Sequence, residues 1–201
     1  MQILHPFTGS IHAYADELST PDRYRPDYCP QCHAPHALIG HGWYRRTIVD
    51  VEFDGTIRVR RYLCRACTRT VSLLPAFALP YLRFSLAVLA RFLTARLLER
   101  STLLAAATAA AQPAMPYQRG QAWSRRFQRQ AAAVCAALAG MTVPPVAPSF
   151  GARALEMLRS IGWMAAHRFL FAELRMHLLG WPGWIAPDGR AVTVPSAAPS
   201  G

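Results

Sequence analysis

Lysine is absent from this 201-residue sequence: all 22 basic residues are arginine. Coding bias would produce the same absence, but arginine's rigid fork suits bidentate contacts to phosphate or guanine. Acidic residues are also scarce, 11 in all, which leaves a formal charge of +11 and a pI near 10.3. Such a surface favours polyanions over acidic substrates of small size. After Ser149 the acids are Glu156, Glu173 and Asp188 alone. That is too few ligands for two-metal phosphodiester chemistry. No recognisable set of nucleophile, base and oxyanion donors occurs, so catalysis by this chain is not expected. Long apolar runs are missing too. The most apolar stretch, Ile161 to Leu179, is broken by Arg168, Glu173 and Arg175, which argues against a membrane span. Met1 to Asp22 is mixed and polar, unlike a secretory leader, and a cytoplasmic location is expected. In that reducing compartment five cysteines do not make a disulfide framework.

Four of those cysteines stand in two matching pairs, Cys29-Pro-Gln-Cys32 and Cys64-Arg-Ala-Cys67. Thiolates spaced this way in a tight turn reach one ion together, and two such turns supply the four soft ligands of tetrahedral zinc. Between them lie two β-type runs, Thr47 to Phe53 and Ile57 to Leu63, joined by the hairpin signal Asp54-Gly55. Side-chain alternation favours a three-residue loop that pairs Phe53 with Ile57 and Val51 with Val59. It also sets Asp50 beside Arg60 and Glu52 beside Arg58. A redox-active pair of the thioredoxin type would sit at a helix start after a strand, and neither pair does. Four thiolates also close the shell against catalytic zinc. His33, His36 and His41 read as surface or supporting residues, and Cys135, among helical alanines, as a small buried one.

The run His41-Gly42-Trp43-Tyr44-Arg45-Arg46, the segment Arg61-Tyr62-Leu63 leading into the second pair, and Thr70-Val71-Ser72-Leu73-Leu74-Pro75 complete a pattern. From Tyr28 to about Ser85 it resembles the zinc-ribbon domains at the N-terminus of bacterial transposases and transposon-associated proteins of unknown function. His33 and Thr68 depart from that pattern, which usually has glycine after the second cysteine of each pair. The resemblance implies a helix-turn-helix next, and Ser85 to Gln130 looks like a diverged copy, with Pro113 and Pro116 where a short glycine turn is usual.

The spacing predicts an α+β chain: a β-hairpin zinc ribbon, a mainly helical helix-turn-helix-like region, and a C-terminal helix. The expected boundaries are an arm over 1–27, the ribbon over 28–80, the helical domain over 81–140, a proline-rich linker over 141–149, a helix over 150–185 and a disordered tail over 186–201. Ser85 caps a helix with a Leu86, Leu89, Leu93, Leu97 stripe, a second helix starts near Ser101, and a third runs from about Tyr117 to Ala139. Ser149 caps the C-terminal helix, which Gly162 could kink or divide. On the third helix Trp123, Phe127, Val134 and Leu138 face inward, leaving Gln121, Arg125, Gln128 and Arg129 for double-stranded DNA. From Ser101 through Leu155 there is no acid to neutralise those arginines. Arg45, Arg46, Arg58 and Arg60 form a second basic cluster on the ribbon. The expected function is zinc-dependent DNA binding, transposon-associated or regulatory, without a nuclease domain. The alternative is an assembly subunit in which the ribbon is a scaffold and the apolar C-terminal helix docks a transposase or a second copy of the chain.

Overall fold

The computed structural model describes residues 1–5, 7, 9–17 and 22–181. Its first half is a four-stranded sheet made of β1 (Gln2–His5), β2 (Leu38–Val49), β3 (Asp54–Cys64) and β4 (Thr70–Pro75) in the order β1-β4-β3-β2. The β2–β3 and β3–β4 pairs are antiparallel, and β1 adds to β4 in parallel. The segment expected as an arm is thus built into the sheet, and it continues as the short helix α1 (Ile11–Glu17). Phe7, Ile11 and Tyr14 from this segment cover Ile48, Ile57, Val59 and Leu74 on one sheet face. The other face buries Leu38, Tyr62, Val71 and Leu73 against Cys29 and Cys64.

The hairpin register differs from the expected one. Val49 pairs with Asp54 and Arg45 with Arg58, so Asp54-Gly55 lies inside β3 and the turn falls at residues 50–53. Long-range contacts outweigh the local turn signal. The Val49 amide donates to Arg83 O at 2.7 Å, Val49 O accepts from the Ser85 amide at 2.8 Å, and the Ser85 hydroxyl donates to the Asp50 carboxylate. Asp50 is therefore spent on the helix start rather than on Arg60. Gly55 has a different use from a turn glycine: a Cβ there would fall 2.7 Å from Phe53 Cζ, so its bare backbone makes room for the ring.

Helices make up the second half. Ser85 accepts from the Val88 amide at 3.1 Å and caps α2 (Leu86–Leu93), which runs into a π-helical turn at Thr94–Leu98. Thr102 caps α3 (Leu103–Ala109), and residues 110–116 lead to α4 (Tyr117–Leu138). Ser149 accepts from the Ala152 amide at 3.2 Å and caps α5 (Phe150–Ile161). Gly162, at φ 91°, then breaks the chain before α6 (Trp163–Ala172), so the single C-terminal helix expected over 150–185 is two helices followed by irregular chain. Glycine reaches this positive φ without the Cβ clash that other residues meet. Residues 182–185 of that expectation, and the tail over 186–201, lie outside the described residues.

One core joins all of these helices. Phe92, Trp123, Phe127, Val134, Leu138, Leu155, Met157, Leu158 and Leu170 are buried together, and Val49 and Leu79 enter the same cluster from the sheet side. Within the chain α5 packs on α4 and the π-helical turn, and α6 on β1, α2 and α4, while Phe150 and Leu174 stay exposed. No helix among the described residues is long and apolar enough to cross a membrane.

Candidate functional site

Each cysteine pair sits in a turn of the same form. In the first, Cys29 O accepts from the His33 amide at 2.9 Å and the Cys29 amide donates to Ala34 O at 3.0 Å. In the second, Cys64 O accepts from the Thr68 amide at 2.9 Å and the Cys64 amide donates to Arg69 O at 2.9 Å. His33 and Thr68 both adopt φ 57°, the left-handed conformation that glycine usually supplies after such a pair. The chain keeps the knuckle geometry and accepts local strain at both positions.

The two knuckles bring four sulfurs together. Cys29 Sγ lies 3.8 Å from Cys67 Sγ, Cys32 Sγ lies 3.7 Å from Cys64 Sγ, and all four are within 4.8 Å of one another. A tetrahedral ion with metal–sulfur bonds of about 2.3 Å separates its ligands by about 3.8 Å, so the cluster matches a single four-coordinate metal ion. Backbone amides of Cys67 and Ala66 point at Cys64 and hold its thiol down, at about 7. The Ala34 amide favours the Cys32 thiolate, but desolvation and the three neighbouring sulfurs outweigh it and push that thiol up to about 12. A cation among the four sulfurs would favour the thiolate form at each of them. His33, His36 and His41 are exposed and outside the cluster; Cys135 is buried on α4, donating to Phe150 O at 3.5 Å.

The ribbon arginines divide by face. Arg45 and Arg58 are exposed and directly opposite one another, with the Arg58 guanidinium 5.0 Å from the Trp43 ring centroid. Arg60 is half-buried, stacked on Trp43 and Tyr62 and ion-paired to Asp22 at 3.1 Å. Arg46 turns to the opposite face, where its guanidinium donates to the carbonyls of Leu79 and, at 2.7 Å, Leu82. Burial lowers its pKa, and its hydrogen bonds fasten the sheet to the chain entering α2. Arg46 is thus separated from its sequence neighbour by the alternation of β2.

On α4 the inward face is the expected one, with Trp123, Phe127, Val134 and Leu138 buried. Trp123 meets Phe84 and Phe92 edge-on, with ring centroids 4.9 and 5.4 Å away. Outward stand Gln118, Ala122, Arg125, Arg129, Ala132, Ala133 and Ala136, all exposed and within a narrow stripe at 3.6 residues per turn. Gln128 is exposed on the flank beside Gly151, and Gln121 is half-buried. Arg126, on the other flank, donates to Leu179 O and Gly180 O at 2.8 and 2.7 Å. Among the described residues no ion pair engages Arg125 or Arg129. Gln118 was within reach of the sequence pattern, because it precedes Arg125 by two turns.

Residues 29–110 match the family model described as a domain of unknown function (DUF6431), a span that runs from the first knuckle to the end of α3. The chain therefore carries a DUF6431 domain containing the four-cysteine cluster. No curated protein and no solved structure is matched by the chain.

Proposed function

We propose that this chain is a zinc-stabilised, duplex-DNA-binding protein without catalytic activity of its own, serving a mobile element or a regulatory site. Zinc suits the cluster because four thiolates at tetrahedral spacing are a closed, structural donor set. Cys29, Cys32, Cys64 and Cys67 would hold it, and the ion would supply charge neutralisation and a cross-link between the two knuckles. The observation that carries the DNA reading is the outward stripe of α4. It presents a glutamine and two arginines that no described ion pair engages, on a rigid helix, in a stretch of sequence from Ser101 through Leu155 that contains no acid. The helix order α2, α3, α4 provides the scaffold on which a third helix enters a major groove. Arg45 and Arg58 on the ribbon add exposed positive charge for phosphates.

The test is retention of random duplex DNA by the full zinc-loaded chain across a salt series. Affinity should fall steeply with salt, and the double variant Arg125→Ala, Arg129→Ala should flatten that slope by about one unit for each phosphate no longer neutralised. Retention that is absent even at low salt would refute the reading.

A further inference from the structure

The outward stripe of α4 has an order as well as a charge, and on it we propose that Gln118 and Arg125 are specificity-determining residues, reading an adenine and a guanine about three base pairs apart. This inference rests on the duplex-DNA reading above. Both side chains are exposed and lie seven residues apart, close to two full turns, so they leave the helix in nearly the same direction. A rise of 1.5 Å per residue separates them by roughly 10.5 Å along the axis, about three steps of B-form duplex at 3.4 Å each. Between them on the stripe stands Ala122, whose side chain ends at Cβ and lets the helix approach the groove floor.

The chemistry of each side chain names its base. A glutamine amide donates and accepts through two adjacent atoms, which matches N6 and N7 of adenine; an arginine fork donates twice, which matches O6 and N7 of guanine. Arg125 is free for this because none of the ion pairs among the described residues engages it. Arg126, its neighbour, is held by the carbonyls of Leu179 and Gly180 and serves the fold. Arg129 stands one further turn from the start of α4, where a helix lying in a groove rises toward the phosphates; its contribution is to affinity without base preference.

The experiment is selection of bound sequences from a random duplex pool by the full zinc-loaded chain and by three variants. The wild type should enrich a site with an A·T and a G·C pair about three steps apart. Gln118→Ala should erase the preference at the adenine only, and Arg125→Ala at the guanine only, each loss amounting to about 5- to 150-fold in discrimination. Arg125→Lys keeps the charge and loses the fork, so it should lose the guanine preference while leaving the salt slope unchanged. These positions are exposed, and an unchanged melting temperature identifies each variant as folded. An enriched site that all three variants share with the wild type would overturn this assignment and leave DNA binding intact. If the wild type retains duplex but enriches no sequence, the assignment falls in the same way. If the wild type retains no duplex, the underlying reading falls with it.

Discussion

Two buried histidines, His167 on α6 and His177 beside Pro80, make the fold sensitive to acid. His167 on α6 is fully buried, with neither ring nitrogen hydrogen-bonded within the protein, and its ring lies 6.1 Å from that of Phe171. His177 is buried as well, but it is satisfied: Nε2 faces Pro80 O at 3.0 Å and Nδ1 accepts the Leu179 amide at 3.2 Å. Desolvation, with a smaller repulsion from His177, lowers the His167 pKa to about 3. Desolvation lowers that of His177 to about 4; the Pro80 carbonyl opposes the shift and Arg126 adds to it. In the unfolded chain both titrate near 6.5. Below that pH the unfolded chain takes protons that the folded chain refuses, so stability falls from about pH 6.5 downward and levels off near the folded values. At one pKa unit per 1.36 kcal/mol, each histidine removes about 2 kcal/mol between pH 7 and 5, roughly 4 together. Replacing His167 by leucine should remove half of that slope. It should also raise stability at pH 7 by about 1 to 3 kcal/mol, because an unsatisfied buried polar group disappears without a large change in volume. Urea unfolding followed by tryptophan fluorescence at both pH values measures both effects. Metal release followed in parallel separates acid loss of the thiolate ligands from the histidine effect. A leucine variant with the wild-type pH dependence, or one less stable at pH 7, would show that the imidazole has a partner and that the reasoning is wrong.

The four-cysteine cluster and its knuckles give two more expectations. Purified chain should carry about one zinc, and Cys64→Ser should release it and unfold the ribbon over 28–75, seen as loss of β-sheet circular dichroism and of metal by elemental analysis. Thr68→Gly should stabilise the protein by up to about 1 kcal/mol, because relief of a β-branched residue at φ 57° exceeds the added freedom of the unfolded chain. A lower melting temperature for that variant would mean that the Thr68 hydroxyl, which donates to Cys67 O at 2.8 Å, matters more than the strain.

What is legible in the sequence follows the range of the interactions. The cysteine cluster is readable because each ligand pair is local and its chemistry narrow. Helix starts at Ser85 and Ser149 are readable for the same reason, since a cap and its amide lie three residues apart. The hairpin register is not, because Asp50 finds its partner at Ser85 and Val49 pairs beyond the sheet. Arg46 follows from that: once the register moves, its side chain falls on the inner face. β1 is hidden as well, as its parallel partner β4 lies about seventy residues on and no turn signal announces the pairing. Gln118 belongs to the same 3.6-residue period as Arg125 and Arg129, but an uncharged amide in the first turn marks a polar face less plainly than a pair of arginines does.

The joint between hairpin and helices bears on how freely this chain can be recombined. Val49, Asp50 and the Gln112 side chain, which donates to Asp50 O at 3.5 Å, write the junction from the ribbon side and the helix side at once. A chimera cut near residue 80 would inherit half of a lock whose other half belongs to a different parent. The ribbon is then no detachable cassette: moved to a new protein, it leaves behind the residues that close its hairpin tip, and the helices left behind lose the group that steadies their first cap.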